Sequence, residues 1–397
     1  MGIRKISASY IFSGNKGFLK NGILYLSEKG SVLDLKDTGG MLSEEANLEH
    51  YNGLLVPGFV NAHCHIELSH MLGKIPRNTE LTGFIENIIP GRKADPERIK
   101  TAIIEADKEM RREGIVAVGD ICNTSDSFAT KSNSTIWYHS FVEIFGTSRA
   151  LAQDIYRNGQ NLVHQARQKY SIPASLTPHS AYSLDETLFN LIRDGAGPED
   201  KMLSVHNQET VSENEMISAA SGELFRTFQK MGFDLSVKTP QNKNSLPWLM
   251  DQLRAGMRTL LVHNLYTTDA DVVDSGVHNA DAYWVLCPKS NFYIGGVGPG
   301  KYLMDKYPER ICIGTDSLAS NDKLSILEEI IMLQDLHPEI PVHQLLLWAG
   351  FNGAKALGID KWCGSFEEGK KPGVVLIENV DLQNLRLKQN SKVKVLL

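Results

Sequence analysis

The sequence predicts an α/β protein built on a (β/α)8 barrel of the TIM type, with a small β-domain formed by the two ends of the chain. Eight short aliphatic runs alternate with longer helical patterns, which is typical of parallel strands joined by helical crossovers. They lie in a stretch somewhat longer than the ~250 residues usual for such a barrel. We therefore expect a barrel domain over 56–357 and a composite β-domain over 1–55 plus 358–397.

The eight runs are short and rich in β-branched and aliphatic residues, as expected for parallel strands that are buried on both faces. The predicted barrel strands are 54–61, 116–121, 136–145, 174–177, 202–206, 259–263, 282–286 and 311–315.

Capping patterns predict where several of the intervening helices begin and end. Asp95-Pro96 opens a helix that Gly114 ends, and Thr268 opens a shorter one that Gly276 ends. Ser212 with Glu215 has the spacing of a capping box. The segments 66–94 and 234–248 read as long loops after strand ends, where active-site lids occur.

The flanks of the chain have a different pattern, with alternating polar and apolar residues. Strands are predicted in 5–12 and 22–35, with a hairpin-like turn at Lys29-Gly30, and in 373–377 and 392–397. Neither flank has enough apolar residues for a core of its own, so the two are expected to pair in one small domain.

Composition excludes several classes of protein. Among 397 residues, Lys and Arg number 41 and Asp and Glu 47, so the net charge of −6 gives no reason to expect nucleic acid or an anionic membrane as partner. No apolar run is long enough for a membrane helix. Five scattered cysteines are too few for a disulfide scaffold. We expect a cytoplasmic protein. A homodimer is the expected assembly only because it is the commonest one among soluble proteins.

Polar side chains follow the apolar runs at positions where the strands of a barrel converge. His63 and His65 end the first run and, because alternate residues of a strand point the same way, both imidazoles face one side. His206, His263 and Asp316 end the fifth, sixth and eighth runs. Singly, each residue is more simply a helix cap or a turn residue. Five of them in one register predict a shared pocket at the carboxyl ends of the strands.

Three histidines and a carboxylate form a ligand set that suits zinc and also Fe2+ or Mn2+. An ion held there would lower the pKa of a bound water to about 7. Glu209 lies just past His206 and is a candidate general acid or base. We expect His263 to polarise and orient the water. One divalent ion, most simply zinc, is the predicted cofactor.

Ordered motifs along the chain resemble those of the amidohydrolase superfamily, in its branch of aminohydrolases and chlorohydrolases acting on nitrogen heterocycles. The similarity extends over nearly the full length. The segments that carry it are 57–65 (PGFVNAHCH), 177–183 (TPHSAYS), 205–209 (VHNQE), 262–264 (VHN), 287–291 (CPKSN), 314–321 (GTDSLASN) and 353–358 (GAKALG).

The resemblance implies a role for each polar residue of the pocket. It implies one metal ion with four ligands, which are His63, His65, His206 and Asp316. Glu209 would carry a proton to the ring nitrogen or the leaving group. His263 would orient the attacking water, and Asp316 would also take its proton. Binuclear branches have a carboxylated lysine where this chain has Thr177-Pro178-His179, which favours a single ion.

Within this branch, the segments 63–69 and 141–146 look most like aminodeoxyfutalosine deaminases, which convert an adenine nucleoside derivative to its inosine-type product. His179 resembles a histidine that contacts substrate in adenosine-type deaminases. Glu67 and Glu143 match positions that could bind polar parts of such a substrate, although a cap within the loop explains Glu67 equally well. Ser317 replaces a usual glycine beside the metal and is a further candidate for substrate binding.

The sequence therefore predicts a metal-dependent hydrolase that deaminates an aminated nitrogen heterocycle, specifically an adenosine-derived nucleoside such as aminodeoxyfutalosine, and releases ammonia. Hydrolysis of a cyclic amide, as in imidazolonepropionase-like enzymes, and loss of chloride from a heterocycle are alternative reactions at the same site. A non-catalytic binding or scaffold protein is the alternative of a different class, and it has no need of Glu209 and His263 beside a full ligand set.

Overall fold

The computed structural model describes residues 2–236 and 238–397. Its strands are, in chain order, β1 (Ile3–Phe12), β2 (Phe18–Lys20), β3 (Ile23–Ser27), β4 (Val32–Lys36), β5 (Leu48–Val56), β6 (Phe59–Cys64), β7 (Ile115–Cys122), β8 (Trp137–Ile144), β9 (Ala174–Pro178), β10 (Met202–Asn207), β11 (Arg258–His263), β12 (Ala282–Leu286), β13 (Ile311–Ile313), β14 (Val375–Glu378) and β15 (Lys392–Val395).

The helices lie between the strands of the barrel and after them. They are α1 (Glu80–Gly91), α2 (Pro96–Arg112), α3 (Phe128–Asn133), α4 (Ala152–Tyr170), α5 (Glu186–Gly195), α6 (Val211–Ala219), α7 (Gly222–Lys230), α8 (Ser245–Gln252), α9 (Asp269–Ser275), α10 (Pro288–Gly295), α11 (Lys301–Lys306), α12 (Ile326–Leu336), α13 (Val342–Ala349) and α14 (Phe351–Ala356). Short 3-10 turns occupy Ile66–Met71, Arg149–Leu151, Val277–Asn279 and Pro308–Arg310.

The strands β6 to β13 are parallel and form the predicted barrel. They pair as two four-stranded sheets, in the orders β6-β7-β8-β9 and β10-β11-β12-β13. Isolated parallel bridges join the sheets at both edges, between Ser180 and His206 and between Cys64 and Asp316. The predicted α/β fold class is confirmed, and the carboxyl ends of all eight strands lie at one end of the barrel.

The two-residue periodicity of the strands decides which side chains fill the barrel. Val60 and Ala62 of β6 and Leu260 and Val262 of β11 belong to an inner cluster of fully buried residues. Leu261, on the opposite face of β11, packs in the larger cluster beneath the helices. Burial on both faces explains why these strands read as continuous apolar runs.

The first predicted strand, 54–61, is wrong as a single strand. Val56 ends β5, which pairs with Val375 of β14, whereas Phe59 begins β6 and pairs with Ile115 of β7. The break falls at Pro57-Gly58, where a side chain at Gly58 would meet Val116 Cγ1 at 2.3 Å. The apolar run therefore serves two different sheets.

Two of the three predicted helix caps are confirmed. Asp95 accepts hydrogen bonds from the first turn of α2, and Thr268 forms a capping box with Asp271 at the start of α9. The box at Ser212 is wrong, because Thr210 caps α6. The Ser212 hydroxyl instead accepts the amide of Leu224 at 2.8 Å, where α7 begins.

The predicted loops contain more helix than expected. The segment 66–94 carries a 3-10 turn and α1, so its description as a loop is wrong. Its apolar residues, Leu68, Met71 and Ile75, pack with Ala319 beyond β13. In the segment 234–248, the described residues 234–236 and 238–244 are irregular, residue 237 lies outside the described residues, and α8 begins at Ser245.

The seven-stranded sheet outside the barrel draws its strands from both ends of the chain. Its order is β15-β14-β5-β1-β3-β4, with β2 paired to β1. A separate buried cluster, which includes Ile6, Leu24, Leu55 and Leu376, forms its core. The pairing of β14 with β5 brings the C-terminal segment to the first fifty-six residues, although the exact domain boundaries stay a prediction.

Within the described residues, no helix is both long and apolar enough to cross a membrane. The five cysteines are buried and free, as expected for thiols that serve in packing.

Candidate metal and catalytic site

The predicted site residues meet at the carboxyl ends of the barrel strands. Several of the residues that end these strands have left-handed backbones, with φ of 46° at Gln208, 74° at His263 and 57° at Asp316. Such conformations cost about 1–3 kcal/mol for residues other than glycine and concentrate at functional sites. Here they turn the chain sharply where the strand ends.

Three imidazoles form what we call the histidine cluster, which consists of His63, His65 and His206. The Nε2 atom of His65 lies 3.1 Å from His63 Nε2 and 3.3 Å from His206 Nε2. The Asp316 Oδ1 atom is 3.5 Å from His65 Nε2 and 3.8 Å from His63 Nε2. Strands β6 and β10 and the end of β13 thus bring four potential ligands to one point.

The donor set of the histidine cluster fits a single divalent cation. Burial, and then the neighbouring imidazoles, hold the pKa of His63 and His65 well below the ordinary value, so both rings are neutral. A neutral Nε2 atom has either one hydrogen or one lone pair in the ring plane, so His65 cannot satisfy both neighbours by hydrogen bonds. Nitrogens on one tetrahedral zinc lie roughly 3.3 Å apart, which matches the observed spacing.

Asp316 is anchored so that one oxygen faces the histidine cluster. Its Oδ2 atom accepts hydrogen bonds from the hydroxyls of Ser290, at 2.6 Å, and Ser320, at 2.8 Å. Burial alone would raise the pKa of this carboxyl, but His63, His263 and Ser290 together leave the pKa below its ordinary value. Asp316 is therefore a carboxylate whose Oδ1 atom is available as a ligand.

Glu209 and His263 lie side by side at the edge of the histidine cluster. The Glu209 Oε2 atom lies 3.8 Å from His263 Nε2. The Nδ1 atom of His263 lies 2.7 Å from the Asn291 Oδ1 acceptor, so Nδ1 carries the hydrogen and Nε2 presents its lone pair. Burial raises the pKa of Glu209 to about 7, which allows this carboxyl to exchange a proton near neutral pH.

Two buried glutamates, which sequence reasoning did not select, accept hydrogen bonds from the segments that carry the site residues. Glu213 accepts the main-chain amides of Gln208 and Glu209, at 2.9 and 3.2 Å. Glu329 accepts the amide of Lys289 at 2.9 Å and the Asn321 side chain at 2.8 Å. Burial raises the pKa of Glu213 to about 7 and that of Glu329 to about 8. The one feature of the sequence that could have pointed to Glu213 and Glu329 is that each places a carboxylate among apolar residues on the buried face of a helix.

Glu143 and His179 lie together on the far side of His206. Glu143 Oε1 is buried, 3.5 Å from His206 Nδ1, and its other oxygen accepts the Asn123 side chain at 3.0 Å. The half-buried His179 ring packs at 4.7 Å from the His206 ring, and its Nδ1 atom contacts the Ser183 hydroxyl. Glu143, His179 and His206 also have potential ligand atoms within 4.8 Å of one another. However, His206 Nδ1 hydrogen-bonds to the His179 carbonyl at 3.0 Å, which directs its Nε2 atom to the histidine cluster.

The remaining two predicted substrate residues, Glu67 and Ser317, make local hydrogen bonds. Glu67 accepts the amides of Asn123 and Thr124, at 3.0 and 3.2 Å, and the Ser127 hydroxyl at 3.2 Å. These contacts join Glu67 to the loop after β7 rather than to its own segment 66–94, and its part in substrate binding stays a prediction. The Ser317 hydroxyl accepts the Ala319 amide at 3.2 Å within its own turn.

Comparison with known proteins agrees with the fold. Residues 54–396 match the model of the amidohydrolase family, and the chain belongs to that family. It is a hydrolase that acts on carbon–nitrogen bonds.

Individual relatives are distant but similar over most of their length. The aminodeoxyfutalosine deaminase of Nitratiruptor sp. is 26% identical over 84% of this chain and 81% of its own. The crystal structure of Helicobacter pylori aminofutalosine deaminase in complex with methylthio-coformycin has a TM-score of 0.79, with 22% identity over 94% of this chain and 92% of that chain. An adenosine deaminase from Xanthomonas campestris with bound zinc has a TM-score of 0.74, with 20% identity over 97% and 87%.

Proposed function

We propose that the protein is a metal-dependent deaminase that hydrolyses an exocyclic amine from a nitrogen heterocycle, specifically an adenosine-derived nucleoside such as aminodeoxyfutalosine. The observation that carries this proposal is the convergence of the histidine cluster and Asp316 beside Glu209 and His263. Such a constellation combines a metal site with a proton-carrying acid and an orienting base. The deaminases among the relatives support the substrate class.

The ion would be held by His63, His65, His206 and Asp316, with zinc as the first choice and iron or manganese as alternatives. When bound, it would supply Lewis acidity that lowers the pKa of a bound water to about 7. The chain itself supplies buried, neutral imidazoles and buried surroundings, in which electrostatic interactions are stronger than in water.

The side chains of Glu209, His263 and Asp316 divide the handling of protons. His263 Nε2 accepts a hydrogen bond from the attacking water and orients it, while Asp316 accepts a proton from it. Glu209 gives its own proton to the ring nitrogen, takes the second water proton from the new hydroxyl as the carbonyl forms, and passes that proton to the departing amine. The proton held by Asp316 then restores the proton of Glu209. A carbon–oxygen bond forms, the carbon–nitrogen bond breaks, ammonia leaves and a carbonyl remains on the ring.

Glu143 and His179 are the residues that we propose for contact with the nucleoside. Glu143 has a buried oxygen without a hydrogen-bond donor among the described residues, and a hydroxyl of the substrate would provide one. The His179 ring lies between the His206 ring and Phe145, whose ring centre is 6.0 Å away. Glu67 and Ser317 are proposed at the same pocket with weaker support, because their oxygens already accept hydrogen bonds from the protein.

The experiment that tests the proposal is ammonia release by metal-loaded protein on a panel of aminated purines, pyrimidines, pterins and adenosine derivatives, including aminodeoxyfutalosine. Release from one adenosine derivative alone is the expected result. No ammonia release from any compound of the panel, with about one metal ion bound per chain, would favour the cyclic-amide or chloro-heterocycle reactions instead. No ammonia release together with no bound metal would favour a non-catalytic binding or scaffold protein.

A further inference from the structure

A second cavity lies at the opposite end of the barrel from the candidate site. This basal cavity has a volume of about 670 Å3, within the usual range for small-molecule sites. Ile115 and Trp137, the first residues of β7 and β8, form part of its wall, and Val375 and Val395 of the seven-stranded sheet form another part. Because β7 and β8 have eight residues each, the basal cavity lies roughly 25 Å from the strand ends that carry the histidine cluster.

The basal cavity is strongly cationic although the chain as a whole is acidic. The charged side chains that line it are Lys29, Lys108, Arg111, Arg112 and Lys371, and no aspartate or glutamate side chain of the described residues is among them. Lys108 pairs with Glu105 at 2.8 Å. The other four form no ion pair with any side chain in the described part of the chain.

These four cations come from three separate segments. A reason that applies within one segment, such as the dipole of one helix, therefore does not explain why all four line the same cavity. Arg111 and Arg112 are in the last turn of α2, where basic residues complement the helix dipole. Lys29 comes from the turn between β3 and β4, and Lys371 comes from the segment before β14. All four side chains are exposed, and the positive potential that they create together would attract a multivalent anion.

Two indoles stand beside the cations. Trp137 and Trp362 both line the basal cavity, with ring centres 6.2 Å apart and planes at 69°. Both are half-buried, so each leaves part of its ring open to a ligand. Aromatic faces next to cations are the combination on which nucleobases stack while their phosphates are neutralised.

We infer that the basal cavity binds a nucleoside polyphosphate, with its phosphates at Arg111, Arg112, Lys29 and Lys371 and its base at Trp137 and Trp362. A triphosphate carries a charge close to the number of unpaired cations. The site is separate from the proposed catalytic pocket and does not depend on the function proposed for it.

UTP is the suitable probe because uracil has no exocyclic amine that a deaminase could remove. We expect saturable binding by calorimetry and by quenching of tryptophan emission, weakened by added salt. Lys371→Glu should raise the Kd by about tenfold or more, since it replaces attraction by repulsion. Lys100→Glu, an equal charge change on an exposed part of α2 outside the cavity, should leave the Kd unchanged.

Inorganic triphosphate separates the contribution of the phosphates from that of the base. We expect it to bind more weakly than UTP and to be insensitive to Trp362→Leu, whereas UTP binding should weaken in that variant. Equal Kd values for UTP in Lys371→Glu and Lys100→Glu, or no saturation below the millimolar range, would overturn the inference. Equal affinity for UTP and triphosphate would overturn the part that concerns the base. Thermal unfolding of each variant distinguishes lost binding from lost folding.

Discussion

At the scale of single residues, the proposed chemistry depends most on the carboxyl of Glu209. Glutamine has nearly the same shape but cannot carry the proton. We therefore expect Glu209→Gln to keep its metal and to lose about 10²- to 10⁴-fold in turnover, the usual contribution of a general acid. Ammonia release together with metal analysis measures both. Glu215→Gln, on the exposed side of α6, is the matched control, and normal turnover by Glu209→Gln would refute the assignment.

Glu213 positions the carboxyl of Glu209 indirectly, through hydrogen bonds to the main chain. Both of its oxygens accept amides of the turn that carries Glu209, and Gln208 in that turn has the strained φ of 46°. Glu213→Gln removes one acceptor, and a misplacement of about 1 Å can cost on the order of 100-fold in rate. We expect kcat to fall, while the metal content and KM stay unchanged.

A double-variant cycle tests whether Glu213 works through Glu209. If it does, Glu213→Gln should change little in a Glu209→Gln background, because the group that it positions is already inactive. Additive losses would show a separate, structural role for Glu213.

At the scale of elements, the close contact between β6 and the end of β13 places Asp316 against the histidine cluster. A Cβ atom at Gly314 would lie 2.8 Å from His63 Cβ and 2.9 Å from the His63 carbonyl oxygen. We expect Gly314→Ala to destabilise the fold by about 1–3 kcal/mol, as other overpacked cores do, and to reduce metal binding. Urea unfolding and metal analysis measure these effects. Gly300→Ala has open space around it and should be near neutral.

At the scale of the whole molecule, metal and fold are expected to be linked. Removal of the ion leaves three buried imidazoles and Asp316 without a common partner. An ion present at a thousand times its Kd adds about 4 kcal/mol to the free energy of unfolding. Protein stripped with a chelator should therefore unfold at a lower temperature and recover with zinc. His63→Ala should show no such recovery, whereas His343→Ala, at an exposed position, should retain it.

The pH dependence of stability follows from buried carboxyls. Glu329, with a pKa of about 8 in the folded protein, keeps its proton above the ordinary glutamate range, so its contribution to stability falls as pH rises. Buried histidines with lowered pKa, such as His139 at about 3, contribute the opposite slope only below about pH 6.5. Between pH 6.5 and 8 the metal-free protein should therefore lose stability.

Urea unfolding over this range tests the sign of the slope. Glu329→Gln should make it shallower by up to about 1.4 kcal/mol per pH unit, while the exposed Glu339→Gln should leave it unchanged. A slope that is the same in both variants would assign the effect to other groups.

Periodicity and motif spacing were sufficient to predict the barrel and to select five residues at strand ends as one group, with Glu209 just past the third of them. The five are His63, His65, His206, His263 and Asp316. Alternating strand residues and converging strand ends are consequences of local geometry, so they can be read before the fold is known. The run 54–61 shows the limit of this reasoning, because an apolar stretch does not reveal that its two halves pair in different sheets.

The sequence by itself determined the fold class and the class of chemistry and predicted the types of metal ligand, because these depend on residue type, motif and short-range spacing. Only the tertiary structure decided that Glu213 and Glu329 support the site, that Glu67 accepts loop amides and that four cations surround the basal cavity. Each of these arrangements joins residues from separate segments, and pairing over such distances is set by the packing of the whole chain rather than by local sequence.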